Sequence, residues 1–161
     1  GYTPLQSATG LFWINITMLI SYFIWGYILP KISDYGINSI KLIKLGLPIS
    51  YFSLFLIIYF GNNAGAFLFT IYIMTSIVIS LTQPAIALNF SKNLAGKSLT
   101  SFNVFLFSGT FFVQWGIGLI IDLCNNKGFD ILSSYRISFS LFLFLCVLSY
   151  TFFIYLNKNE N

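Results

Sequence analysis

The fold of this chain is decided by residues 94–122, LAGKSLTSFNVFLFSGTFFVQWGIGLIID. This stretch carries no charged residue between Lys97 and Asp122, a gap of 24 residues. At 1.5 Å per residue, a helix of that length is about 36 Å long, enough to cross a hydrocarbon core of ~30 Å with some tilt. The stretch is therefore predicted to form a transmembrane helix.

The polar residues of this helix are not scattered around it. Asn103, Thr110 and Gln114 lie 7 and 11 positions apart, so at 100° per residue they fall within roughly 20° of one another and share a face. Such a face favours water or protein over lipid. Gly109 and Gly116 form a second stripe, where the backbone of another helix can come close. A helix with these two faces favours a transport function.

The composition of the whole chain indicates an integral membrane protein whose first partner is the lipid bilayer. Of its 161 residues, 57% are hydrophobic and 7% are charged, against roughly 25% charged residues in a soluble domain. The formal charge of +4 does not indicate a nucleic-acid partner, because the Lys and Arg residues lie almost entirely between apolar segments. Positive residues in such positions set the orientation of a protein in the bilayer, which accounts for them here.

Five apolar segments predict an all-α polytopic fold with five transmembrane helices. They are expected at about residues 5–29, 41–60, 64–90, 98–122 and 135–156. In the third segment, Pro84 cannot donate to the carbonyl of Ser80, which permits a kink beside Gln83. The second and fifth segments carry hydroxyl groups but no amide.

Polar faces recur in the first and third segments, where Asn15 and Tyr22 share one face and Tyr72, Ser76 and Gln83 share another. With the residues of the fourth segment they give seven candidates for lining a substrate cavity: Asn15, Tyr22, Ser76, Gln83, Asn103, Thr110 and Gln114. The alternative for the amides is hydrogen bonding between helices, worth on average under ~1 kcal/mol each in membranes.

The distribution of positive charge predicts the orientation. Six positive residues fall on one side of the predicted membrane and two on the other: Lys31, Lys41, Lys44, Lys92, Lys97 and Lys158 against Lys127 and Arg136. The C-terminus is therefore expected in the cytoplasm and the N-terminus outside. In that orientation Asn15 and Gln114 lie near mid-membrane, while Gln83 and Asn103 lie in the cytoplasmic third, as one polar path would require.

The chain resembles the last five helices of the twelve-helix major facilitator superfamily. The resemblance is carried by the run from Leu94 to Lys97, by Thr100 and Asn103, and by Gln114-Trp115-Gly116 with Gly118. The loop GYILPKISDYG, residues 26–36, resembles the Gly-rich acidic loop that follows the second helix of each half in this family, although it lacks the usual Arg.

The resemblance implies a bacterial cytoplasmic (inner) membrane protein that transports a small solute by alternating access. Residues 1–161 would be a partial C-terminal transmembrane domain, and its partner would be the missing N-terminal half of the same transporter. The first, third and fourth segments would face the central cavity, with the second and fifth outside. Gly109, Gly116 and Gly118 would be helix-packing positions. The absence of an initiator Met at Gly1 also predicts a fragment.

Two other functions compete with transport. An intramembrane enzyme is disfavoured because the chain has no His, and its four carboxylates lie in loops or at helix ends: Asp34, Asp122, Asp130 and Glu160. No catalytic residue, metal or cofactor is therefore predicted, and Cys124 and Cys146 are expected to be free thiols roughly 15 Å apart. A complete small five-helix scaffold or assembly protein without transport activity stays open.

Overall fold

The computed structural model describes residues 3–158, and every element in that range is helical. The helices are α1 (Pro4–Ser33), α2 (Ser39–Phe60), α3 (Ala66–Ser76), α4 (Thr82–Asn89), α5 (Lys92–Asn126) and α6 (Ile131–Leu156). A 3₁₀ turn at Gly61–Asn63 follows α2, and a 3₁₀ segment at Ile77–Leu81 joins α3 to α4. Five stretches are long and apolar enough to cross a membrane, which confirms the predicted fold class. Glu160 lies outside the described residues.

Most of the helices extend beyond the predicted bounds. The largest difference is in α5, which was expected over residues 98–122 but begins at Lys92 and ends at Asn126. The prediction treated the charge of Lys97 as a boundary, but lysine is a good helix former and does not end a helix. At 35 residues α5 is about 52 Å long, so its ends project beyond a ~30 Å hydrocarbon core.

The predicted ends of α1, α2 and α6 also differ from the observed ones, and a side-chain cap marks where each of these three helices begins, with Thr3 capping α1. The Asn38 side chain accepts a hydrogen bond from the backbone N–H of Lys41 at 2.9 Å, so α2 begins two residues before the predicted bound. Asp130 caps α6 in the same way, accepting from the backbone N–H of Ser133 at 3.2 Å. α1 continues through Pro30 to Ser33. Capping oxygens satisfy backbone donors that the helix itself leaves unpaired.

The third span is not one regular helix. Its five-residue 3₁₀ segment, Ile77–Leu81, contains Ser80, the residue whose carbonyl Pro84 cannot reach. A 3₁₀ helix has three residues per turn, so each residue advances by roughly 120° instead of 100°. The irregularity that was expected around Pro84 is therefore present, but as a change of winding that lies upstream of the proline.

The chain forms two compact units, the first ending at Thr82 and the second beginning at Gln83. In the first unit the third span contacts both α1 and α2. The buried residues of α2 recur at spacings of three and four, the pattern of a helix that packs along one face: Ile43, Leu47, Ser50, Leu54 and Ile57. Three apolar residues of the 3₁₀ segment complete this core: Ile77, Val78 and Leu81. α2 is thus the most extensively buried of the described spans, and its position outside the central cavity stays a prediction.

Two small residues let α2 approach its neighbour closely. Gly46 and Ser50 are four positions apart, the small-xxx-small spacing of closely packed membrane helices. Ser50 is buried and its hydroxyl donates to the carbonyl of Leu47 at 2.8 Å. Ser53, one turn further on, donates to the carbonyl of Ile49 at 2.9 Å. The Ser50 and Ser53 hydroxyls are therefore satisfied within their own helix, as expected from the sequence.

The second unit is built on an α5–α6 hairpin. Its buried residues are Ser134 and Ser138, four positions apart on α6. The Ser134 hydroxyl lies 2.7 Å from Asn125 Oδ1 and 3.0 Å from the carbonyl oxygen of Asp130. The first of these hydrogen bonds joins the end of α5 to the start of α6. α5 itself buries none of its residues.

Candidate functional site

The polar stripe of α5 keeps the geometry that the sequence predicts. α5 is uninterrupted from Lys92 to Asn126, so the count of 100° per residue applies to Asn103, Thr110 and Gln114. Thr110 and Gln114 are exposed and Asn103 is half-buried. About 16 Å of helix separates Asn103 from Gln114. These three residues therefore form a continuous polar face along the middle of the helix.

The amides of this face have no protein partner within residues 3–158. Thr110 donates its hydroxyl to the carbonyl of Leu106 at 2.9 Å and is satisfied inside the helix. Over the same range, the side chains of Asn103 and Gln114 make no hydrogen bond. Each amide can donate two hydrogen bonds and accept two. The face therefore offers hydrogen-bonding groups to a molecule outside the described chain.

The candidates on α1 are differently placed. The Asn15 side-chain amide donates to the carbonyl of Leu11 at 2.7 Å, so one of its donors is satisfied in its own helix. Tyr22, seven residues later on the same uninterrupted helix, is 42% exposed. The two side chains share a face as predicted. The α1 face therefore has fewer free hydrogen-bonding groups to offer another molecule than the α5 face has.

The face predicted for the third span depended on regular α-helical winding. Tyr72, Ser76 and Gln83 were counted at 100° per residue, but five of the intervening residues form the 3₁₀ segment. The count therefore no longer supports one shared face. Ser76 donates its hydroxyl to the carbonyl of Tyr72 within its own helix. Gln83 is exposed, and its side chain makes no hydrogen bond in the described range.

The seven candidates do not form one hydrogen-bonded cluster. Three of them belong to the first unit, Asn15, Tyr22 and Ser76, and four to the second, Gln83, Asn103, Thr110 and Gln114. Within residues 3–158 no hydrogen bond joins any two of them. The pairing of Asn15 with Gln114 at one membrane depth stays a prediction.

Two open clefts lie within the units, and both are apolar. One, of about 200 Å³, lies between α5 and α6 and is lined by Gly116, Ile120, Ser138 and Phe142 among others. The other, of about 270 Å³, lies in the first unit between Trp25, Leu45, Ile49 and Met74. Their hydroxyl groups, on Ser138 and Thr75, donate to carbonyls of their own helices at 2.9 and 2.8 Å. Neither cleft contains a predicted hydrogen-bonding candidate.

The predicted glycine positions have no close neighbour in the described chain. A Cβ built on Gly109, Gly116 or Gly118 meets no atom within 4 Å. Their packing role is therefore not realised among the described residues and stays a prediction about another helix. The close approach occurs instead at Gly46, which the analysis of the sequence did not mark. The signal for it was present in the spacing of Gly46 and Ser50.

Charged groups lie at the ends of the helices. In the first 82 residues, the charged side chains all fall between positions 31 and 44: Lys31, Asp34, Lys41 and Lys44. The Lys31 ammonium lies 2.5 Å from the Tyr27 hydroxyl and 3.9 Å from the centre of its ring. At the other hairpin, hydrogen bonds from the side chain and backbone of Ser133 hold the pKa of Asp130 below its ordinary value of 3.8.

Groups able to hold a metal ion are not assembled in the described range. Residues 3–158 contain no cluster of three or more His, Cys, Asp or Glu side chains. Cys124 and Cys146 are free thiols, as expected, and both are half-buried. In comparisons with known proteins, no family model, curated protein or solved structure matches the chain.

Proposed function

We propose that this chain is part of a secondary transporter that moves a small polar or anionic solute across a membrane by alternating access. The observation that carries the proposal is the polar face of α5. Two amides on a membrane-length helix have no hydrogen-bond partner among residues 3–158, and the helix that carries them has no buried residue.

This face is costly if it contacts lipid. An amide without a partner in hydrocarbon costs several kcal/mol, so Asn103 and Gln114 require water, protein or a solute. About 16 Å separates them along α5, a large part of the ~30 Å core. A hydrogen-bond partner at a single membrane depth would satisfy only one of these amides, because they lie at two different depths. A water-filled path along α5 satisfies both.

The proposal includes the resemblance to the major facilitator superfamily. The solute would bind between this chain and a second half of the same transporter, as in transporters built from structural repeats. The membrane would be a bacterial cytoplasmic membrane, with the C-terminus inside. The chain would act without enzymatic chemistry. Gln114 and Asn15 would donate hydrogen bonds near mid-membrane, and Gln83 and Asn103 would line the cytoplasmic exit.

The second candidate function is a five-helix scaffold or assembly protein. The same helix favours it, because it has no buried residue, and a Cβ built on Gly109, Gly116 or Gly118 meets no atom within 4 Å, so this span is also suited to packing against another protein. The two functions differ in what covers Gln114. Transport requires intermittent access to water, and assembly requires lasting protein contact.

Cysteine accessibility tests this difference. In a background of Cys124→Ser and Cys146→Ser, single Gln114→Cys and Asn103→Cys variants of the full-length protein would be treated in intact cells with a small hydrophilic thiol reagent. We expect both to react. Phe112→Cys is the matched control, because it lies two residues from Gln114 at a similar depth but roughly 160° around the helix, and it should stay unreactive. Protection of both Gln114→Cys and Asn103→Cys would contradict a water-filled path and favour the scaffold.

A further inference from the structure

We infer that the lysine-rich end of the first unit, together with the apolar cleft beside it, binds one anionic phospholipid. The headgroup would lie against Lys31 and Lys41, and an acyl chain would occupy the cleft lined by Trp25, Leu45, Ile49 and Met74. Charge complementarity identifies this occupant, since the first unit concentrates all of its charged side chains at this one end.

The charge at this end is positive on balance. Three lysines and one carboxylate, Asp34, lie within 14 residues, around the turn between α1 and α2. The rest of the first 82 residues carries no charged side chain. The turn holds both the C-terminus of α1 and the N-terminus of α2, whose backbone dipoles oppose each other, so the lysines set the sign of the potential. An anionic headgroup is therefore favoured here over a zwitterionic one.

Aromatic side chains place this end at the level of the headgroups. Tyr27 and Tyr35 are 67% and 86% exposed, and tyrosine is enriched where a membrane meets water. Lys31 gives one of its three donors to the hydroxyl of Tyr27, one turn earlier on α1. Two donors of the ammonium are left for a phosphate.

The cleft continues from this end into the hydrocarbon region. Along α2 its lining runs from Leu42 to Ile49, about 10 Å of helix. Lys41 immediately precedes this run and is a helix-surface neighbour of Leu45, four residues on. Leu45 is 70% exposed, so the cleft is open on its membrane side. A lipid chain entering it would bring its headgroup to Lys41.

Trp25 lines the cleft and reports on its occupant. Replacing the exposed Trp13 and Trp115 by Phe leaves Trp25 as the single Trp of the chain. The full chain would be reconstituted in phosphatidylcholine vesicles containing equal fractions of either phosphatidylglycerol or phosphatidylcholine with brominated acyl chains, which quench Trp fluorescence. We expect brominated phosphatidylglycerol to quench Trp25 by occupying the site at least fivefold more readily than brominated phosphatidylcholine at the same fraction.

Lysine variants then test the headgroup contact. Lys41→Gln should reduce the preference for phosphatidylglycerol about fivefold, and Lys31→Gln should reduce it similarly. Lys41→Arg keeps the charge and should retain the preference, which separates loss of charge from misfolding. Lys92→Gln, at the start of α5, removes the same charge elsewhere and is the matched control. Equal preferences for Lys41→Gln and Lys92→Gln would overturn the proposal.

Two further measurements test the occupant itself. Leu45→Phe adds apolar volume to the cleft and should weaken quenching of Trp25 by both brominated lipids without changing the ratio between them. Unchanged quenching would show that no chain enters the cleft, as would be found if another helix or a second copy filled it. Glycerol phosphate in the buffer should leave the preference intact. Loss of the preference on its addition would show that the lysines bind free phosphate groups instead of a lipid.

Discussion

Val78 lies where a side chain on Gly46 would have to be. A Cβ added to Gly46 would fall 2.8 Å from Val78 Cγ1 and 3.0 Å from Cγ2. Valine is branched at Cβ and restricted in its rotamers, so it has little freedom to move aside. The glycine therefore permits the close approach between α2 and the 3₁₀ segment.

We expect Gly46→Ala to destabilise the first unit by about 1–3 kcal/mol, the usual cost of adding a methyl group to a well-packed interior. Thermal unfolding in detergent measures the effect. Gly109→Ala is the control, because a Cβ there meets no atom within 4 Å, and alanine favours helix by up to about 1 kcal/mol over glycine. Adding Val78→Ala should recover part of the loss. A Gly46→Ala protein that unfolds at the wild-type temperature would contradict the close packing.

Ser134→Ala should destabilise the α5–α6 hairpin by about 1 kcal/mol. The substitution removes the buried Ser134 hydroxyl, and with it the hydrogen bonds to Asn125 and to the carbonyl of Asp130. A double-mutant cycle with Asn125→Ala isolates the first of these bonds and should give a coupling of about 0.5–1.5 kcal/mol. Ser149→Ala, on the exposed surface of α6, should be neutral. A zero coupling would mean that this bond does not hold the hairpin.

The cap of α6 should make stability depend on pH at the acidic end. Because the pKa of Asp130 is lowered in the folded chain, its stabilisation is fully present above the ordinary, unfolded pKa of 3.8. It is lost as the pH falls through the lower folded value. Asp130→Asn keeps a capping oxygen without the titrating group. The difference in unfolding temperature between wild type and Asp130→Asn should shrink below pH 4, and a difference that stayed constant to pH 2.5 would contradict the lowered pKa.

The orientation can be tested at the two ends of one helix. Asn93 and Asn126 are both exposed and lie at opposite ends of α5, about 50 Å apart. On a background without the native cysteines, Asn126→Cys should react with an impermeant thiol reagent in intact cells, and Asn93→Cys should react only after the membrane is opened. The reverse pattern would invert the predicted topology.

The sequence predicted what depends on length and local period. The five spans follow from runs of apolar residues, which a single segment reveals by itself. The stripe of Asn103, Thr110 and Gln114 also held, because α5 is long and regular and its period is local. Charge was a poorer guide to helix ends, since Lys92 and Lys97 are both helical.

Features set by contact between distant segments could not be read in the same way. The role of Gly46 depends on Val78, 32 positions later, and the sequence does not give that distance. The 3₁₀ segment packs Ile77, Val78 and Leu81 against α2, and it winds more tightly than a regular helix. The face predicted for Ser76 and Gln83 was lost for that reason. A count at 100° per residue assumes regular winding and does not reveal such a change.

The confinement of charge to one end of the first unit bears on its response to membrane voltage. A side-chain charge carried through the full membrane potential couples to it by about 2.3 kcal/mol per 100 mV. Residues 45–82 carry no such charge, and α1 carries none before Lys31. Rearrangements of these helices within the hydrocarbon region therefore carry no side-chain charge across the full field, and their equilibria should depend only weakly on the membrane voltage.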